Sequence, residues 1–463
     1  MASMEGGGAN RPQASGPVGL AGEPRPAGEL APDGAAGRNG QDDAAMAEAV
    51  LASTPELIAG SLGEYGRIWA KRVRSGESGA LPVVIGLVAI VVYFQVRNSL
   101  FLSSINLVNL MTQAAWIVML GMAEVFVLLL GEIDLSIGFT SVIGAVITLW
   151  LLSLSHPVPW WVAVLAGLAT PAAYGAIQGF LITKLRLPSF VVTLAGLLMG
   201  QGLLLYLIGV AAPGSGGVIR LSNSVLNDIE GGSMSVVAGW VVMAAAVALG
   251  GVFLWLRDSR RRSGKLAAPP ASVTLLKVAV MAIAGVVVVL IGNTDRGVGF
   301  TVLRGVPWVV LVVLVVLVAW SVLLSRTRFG RYIYAIGGNA EAARRAGISL
   351  GRIRLLAFTL CGLTAGIMGI IYASFQGSIS SNVNGGQLVL YAIAAAVIGG
   401  TSLFGGRGRM LGAVLGGLIV AVIYNGLSLL GLGAAAQDMW TAVVLLAAVM
   451  VDTLARRGRT TPQ

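Results

Sequence analysis

Twelve runs of about 18 to 25 mostly apolar residues follow one another along this chain, near 79–98, 107–130, 136–155, 160–183, 189–209, 236–256, 274–292, 305–325, 354–373, 388–404, 411–431 and 438–454. Each is long enough to cross the hydrocarbon core of a bilayer as a helix. Backbone polar groups have no water to bond to in lipid, so runs of this kind must satisfy them internally. Of the 463 residues 56% are hydrophobic and 11% charged, where a soluble domain carries about a quarter charged. The expected fold is all-α: a polytopic bundle of about 12 helices embedded in the lipid bilayer. An even number of spans puts both ends of the chain on one side.

Basic residues test that count, because they collect on the cytoplasmic side. Lys71 to Arg74, Lys184 with Arg186, Arg257 to Lys265, Lys277, Arg326 to Arg354, Arg407 with Arg409, and Arg456, Arg457 and Arg459 all fall on one side. Only Arg97, Arg220, Arg296 and Arg304 fall on the other. The cytoplasmic assignment of both termini and a plasma-membrane location follow.

Outside the spans, residues 1–45 are rich in Gly, Ala and Pro and are expected to form a disordered cytoplasmic tail. No basic segment there runs directly into an apolar one, so this is not a cleaved signal peptide. Residues 46–75 carry apolar residues at helical spacing and end in Lys71, Arg72 and Arg74, which predicts an amphipathic helix on the cytoplasmic membrane surface. The transmembrane domain is expected over 79–455, followed by a short cytoplasmic tail, 456–463. The net charge of +11 lies in short loops beside spans, with no long basic run interleaved with aromatics, so nucleic-acid binding is set aside. Cys361 is the only cysteine and His156 the only histidine. No internal disulfide and no Cys/His metal site of the four-ligand kind can form, and no cofactor is expected.

The longest charged interruption is RTRFGRYIYAIGGNAEAARRAGISLGRIR, residues 326–354. Asn339 suits a helix N-cap, Glu341 the first turn, Arg344 and Arg345 the last, and Gly347 the left-handed position beyond it. The resulting helix of about two turns is too short to be stable alone and needs a surface to dock on. A solvated loop helix is the plain alternative.

Few acids fall inside the apolar region: Glu124, Glu132 and Asp134, with Asp438 near a span end. A carboxylate there costs a few kcal/mol on insertion scales and faces a cavity, the bundle interior or a partner. Glu132 and Asp134 lie in GEIDLSIG, where Gly131 and Gly138 bracket a polar centre completed by Ser136. This reads as a helix interruption whose freed backbone groups line a cavity, or as a cap on the following span. Glu124 shares a helical face with Gln113, and Gln178 and Gln201 add polar groups in neighbouring spans. These groups serve either a path for a polar solute or hydrogen bonding between helices. A second Gly-rich stretch, GGTSLFGGRGR over 399–409, implies a tight turn or close backbone approach. It lacks the Lys and Ser/Thr of a P-loop, and no such motif occurs in the chain. An ATP-driven process would need a separate ATPase polypeptide.

GEIDLSIG (131–138), FGRYIYAIGGNAEAARRAGI (329–348), GGTSLFGGRGR (399–409) and NGLSLLG (425–431), in this order, resemble the membrane permease subunits of bacterial ABC importers for monosaccharides, the ribose and xylose type. The chain looks most like the xylose-type members, which have a Glu where Glu132 stands and an extra helical pair, here 236–256 and 274–292. The resemblance implies the transmembrane fold of type II importers, with ten core helices and two extra. It implies a coupling helix docked on cytoplasmic ABC ATPase subunits through Gly338, Asn339, Glu341, Ala342, Ala343, Arg344, Gly347 and Ile348. It further implies a second permease subunit, most simply in a homodimer, an extracytoplasmic sugar-binding protein, and a monosaccharide substrate such as xylose or a similar pentose. The chain itself would not be an enzyme. Glu124, Gly131, Glu132, Asp134, Ser136 and Gly138 are the expected translocation path or helix break. An ion-coupled secondary transporter, using Glu124, Glu132 or Asp134, is the alternative.

Overall fold

Residues Ser104–Leu128 form α2, the helix around which the others pack: from Ala114 onward every residue of it is buried. The computed structural model describes residues 81–433, apart from 155–157, 264–267 and 298–300, with a few positions beyond on either side. The expected tails at 1–45 and 456–463, and most of the amphipathic helix at 46–75 and of the span at 438–454, lie outside the described residues.

In chain order the helices are α1 (Leu81–Arg97), α2, α3 (Ile137–Ser153), α4 (Trp160–Lys184), α5 (Ser189–Ala211), the short α6 (Ser224–Asn227), α7 (Val236–Ser263), α8 (Ala271–Asn293) and α9 (Trp308–Arg326). They continue as α10 (Arg328–Gly338), α11 (Ala340–Arg345), α12 (Leu350–Gln376), α13 (Gly385–Ile398) and α14 (Met410–Leu429). Among the described residues eight helices are long and apolar enough to cross a membrane, and α1, α3 and α13 are shorter apolar helices. One small antiparallel sheet joins β1 (Val218–Arg220) to β2 (Ser378–Ser380), with Ile219 opposite Ile379.

Small residues set the packing. α4 and α12 approach backbone to backbone: a side chain on Gly175 would strike the Phe358 carbonyl, and one on Gly362 the Pro171 carbonyl. α14 does the same through Gly416 against the Ala395 carbonyl and Gly417 against Val118. Such contacts replace the hydrophobic drive that lipid does not provide. The pair α7 and α8 buries little beyond its own seam, where Gly250 faces Met281 and Gly285 faces Met243.

Basic residues stand beside helix ends that meet. Gly351, at the start of α12, meets Thr183 beside Lys184, and Gly337 meets Gly406 beside Arg407. At the opposite end Asn98, next to Arg97, donates to the Leu429 carbonyl at 3.3 Å, and Arg220 lies in the strand pair.

Several boundaries differ from expectation: the span expected over 388–404 ends at Ile398, and two differences bear on charged residues. The sequence ends a span at 256, but α7 runs to Ser263, since Arg260, Arg261 and Arg262 suit the negative end of a helix. The span expected to begin at 354 begins at Leu350, so Arg354 belongs to a helix and not to the loop before it.

Candidate functional site

The end of the bundle that carries α11 is built from three separated sequence stretches. α11 itself follows the residue chemistry of its caps: Asn339 Oδ1 accepts from the Ala342 amide at 2.9 Å. At the other end Gly347, at φ 79°, lets the Ile348 amide reach the Ala343 carbonyl and its own amide reach that of Arg344, both at 3.0 Å. Glu341 is clamped by Arg344 (Nη2 to Oε1 2.8 Å, Nε to Oε2 3.0 Å) and by Arg345 (3.1 Å). Those hydrogen bonds hold its carboxyl below the usual carboxylate range. Ala343 is buried and Ile348 half-buried, while Gly338, Asn339, Glu341, Ala342, Arg344 and Gly347 face outward. α10, which the sequence reading left without structure, precedes it, capped by Thr327 through the Gly330 amide at 3.2 Å.

Behind α11 the glycines meet. Gly131, Gly405 and Gly406 all have positive φ, at 76°, 86° and 72°, and a Cβ on Gly405 would stand 2.9 Å from both the Gly131 nitrogen and the Gly337 carbonyl oxygen. The Gly406 amide donates to the Leu129 carbonyl at 2.9 Å, and the Tyr334 hydroxyl to the Gly408 carbonyl at 2.7 Å. GEIDLSIG and GGTSLFGGRGR are thus wedged against the segment leading into α11.

Gly131 ends α2 in the same left-handed manner as Gly347 ends α11, with the Glu132 amide on the Val127 carbonyl at 3.1 Å. The chain is then non-helical until Ile137, and its polar side chains turn inward. Asp134 Oδ1 accepts from the Ser136 amide (2.9 Å) and hydroxyl (2.6 Å). Ser136 Oγ lies 3.2 Å from Thr140 Oγ1 and accepts from Gln178 Nε2 at 2.8 Å. Glu124 Oε1 accepts from the Asp134 amide at 3.1 Å, while its Oε2 has no partner among the described residues. Ser136 stands at the N-cap of α3 without a side-chain cap bond, so the capping alternative holds only through Asp134. Gly138 serves packing, since a side chain there would strike the Gly385 carbonyl.

Sequence reasoning missed Thr140, Cys361 and Arg354 in this cluster. The Cys361 thiol lies 3.7 Å from Asp134 Oδ2. Arg354 Nε stands 2.7 Å from Glu132 Oε1, an ion pair whose N–H points off the hydrogen-bond line. Opposite charge was the only signal for it, across a long stretch of chain. Conversely, Gln113 does not join Glu124: Asn425 Nδ2 donates to it at 3.0 Å, and Asn106 donates to Asn425 at 2.9 Å. Those three tie α2 to α14. Gln201 is exposed.

Comparison with known proteins places this architecture. The family described as branched-chain amino acid transport system / permease component matches residues 106–454. The chain belongs to that family. The permease is 33% identical over 377 residues to the xylose transport system permease protein XylH of Escherichia coli (strain K12), covering 81% of this chain and 92% of that protein. It is 34% identical over 390 residues to the XylH of Haemophilus influenzae, covering 81% and 97%. The ribose import permease protein RbsC of Escherichia coli (strain K12) is 30% identical over 369 residues, covering 79% and 92%. No solved structure matches the permease.

Proposed function

We propose that this permease is the membrane-spanning subunit of an ATP-driven monosaccharide importer of the bacterial inner membrane, with xylose or a similar pentose as its substrate. The observation that carries this reading is the similarity to permeases of xylose and ribose transport over about four fifths of the chain. The subunit is not an enzyme; ATP is hydrolysed on separate cytoplasmic ABC ATPase subunits, and an extracytoplasmic sugar-binding protein delivers the substrate.

Within that reading α11 is the coupling helix. It is doubly capped, too short to persist unsupported, and outward-facing along Asn339, Ala342 and Arg344, which suits a groove on the ATPase. Both termini lie in the cytoplasm, by the distribution of basic residues, and two copies of the permease enclose one path. Gly131, at the head of the segment that carries Glu132, Asp134 and Ser136, packs through Gly405 against Gly337 just before α11, so in this reading motion of α11 is passed to that segment there.

Reconstituted vesicles test the reading. ATP hydrolysis by the permease with its ATPase should rise when xylose-loaded binding protein is added on the outer side. Hydrolysis indifferent to that protein, or to the sugar on it, would sink the proposal.

A further inference from the structure

Between α13 and α14 the chain makes a turn that closes on itself. The Ser402 amide donates to the Arg407 carbonyl at 2.9 Å, and the Gly405 amide to the Ser402 carbonyl at 3.2 Å. Ser402 Oγ accepts from the Phe404 amide at 3.1 Å. Thr401 and Ser402 are each 1% exposed, and Gly405 and Gly406 take the left-handed path, at φ 86° and 72°. The turn is fixed at its base. What it holds at its tip is Phe404, which is 67% exposed.

That tip stands beside α11. A Cβ on Gly405 would lie 2.9 Å from the Gly337 carbonyl oxygen, and one on Gly406 3.0 Å from the Gly338 nitrogen. Phe404 directly precedes this glycine pair, and Gly338 directly precedes Asn339, the N-cap of α11. Arg407 and Arg409, both exposed, follow the tip, and Arg344 is exposed on α11. A single apolar side chain on a surface needs no explanation. Phe404 differs in being set by a tied turn among arginines at the head of a helix that itself needs a surface to dock on. Aromatic residues and arginine are the types enriched where protein partners meet, and a side chain presented by a fixed turn loses little freedom on binding.

We infer that Phe404 is a second docking point for the ATPase subunit that receives α11. Its ring enters an apolar socket on that subunit, and Arg407 and Arg409 meet acidic groups at the edge of the socket. The inference rests on the coupling role given to α11 above and extends it from one helix to a surface of two parts. The Phe404 carbonyl oxygen lies 3.2 Å from where a Cβ on Gly131 would stand. The ATPase therefore grips both the helix and the turn that separates it from the polar break.

The permease in nanodiscs, with its ATPase added, tests this. Phe404→Ser should leave the unfolding temperature of the permease alone unchanged, because the ring is exposed, and should weaken ATPase binding about tenfold. Phe404→Cys should react readily with a water-soluble maleimide, the native Cys361 being buried, and should be protected once the ATPase is bound. Parental ATPase affinity in the serine variant, or a cysteine that the ATPase leaves unprotected, would overturn the docking point. So would a cysteine already shielded before the ATPase is added, since the ring would then lie in lipid. Gly347→Val runs in parallel: weakened binding in it but not in Phe404→Ser strikes out Phe404 alone, whereas parental binding in both removes the coupling reading itself.

Discussion

Arg354, in the first turns of α12, holds its Nε 2.7 Å from Oε1 of Glu132 in the linker between α2 and α3. The pair ties the helix that follows α11 to the polar break that lies behind it. Glu132 is nearly buried, at 9% side-chain exposure, and Arg354 keeps 31%. Removing only the cation leaves a carboxylate facing the protein interior, which is worse than removing both charges. Arg354→Met should therefore destabilise the permease by about 2 kcal/mol, and Glu132→Gln with Arg354→Met by distinctly less. Thermal unfolding in nanodiscs checks this; equal losses in the single and double variants would show that the pair does not interact.

Gly347 is a conformational requirement and not a packing one. Its φ is 79° and nothing lies within 4 Å of where a Cβ would stand. Gly347→Val meets no neighbour yet cannot hold the left-handed turn, at a cost of about 1–2 kcal/mol. The variant should insert normally and fail to co-purify with the ATPase, while Gly347→Asn retains most of the complex. Full retention of the complex by the valine variant would remove α11 from the coupling role.

Gly337 poses the opposite case. A side chain there runs into the Leu129 carbonyl and the Gly406 nitrogen, both backbone atoms that cannot rotate away. Gly337→Ala should lower the unfolding temperature of the permease and its uptake together, whereas Gly338→Ala, with open space around it in this chain, should leave the unfolding temperature within error.

Glu230 gives a pH dependence. It lies between α6 and α7, 7% exposed, and neither carboxyl oxygen has a partner among the described residues. Burial pushes its pKa up to about 9 from 4.5. Below 4.5 the carboxyl is protonated folded and unfolded alike, and no penalty arises. As pH rises from there towards 9 the unfolded state releases the proton and the folded state keeps it, so stability falls by about 1.4 kcal/mol per pH unit. Glu230→Gln should abolish that decline: its unfolding temperature should match the parent near pH 4 and exceed it at pH 8. Parallel curves would show that Glu230 is solvated.

Much of this was readable from residue order. Apolar run length gave the helices because lipid leaves the backbone no other arrangement, and α11 was legible to its caps because Asn339 and Gly347 act locally. The Gly-bracketed break at 131–138 was legible for the same reason. What escaped was non-local: Arg354 with Glu132 and Cys361 with Asp134 are each brought together by the packing of segments far apart in sequence. Gln113 and Glu124 share a face of α2, yet three helical turns separate their partners, so periodicity alone could not tell that they belong to different networks.

The most direct measurement is uptake of labelled xylose into vesicles containing the permease, with and without its ATPase and binding protein. The importer account predicts uptake that requires both partners and ATP and survives an ionophore. Uptake by the permease alone, collapsed by the ionophore, would contradict it and make Glu124, Glu132 and Asp134 the ion-coupling groups.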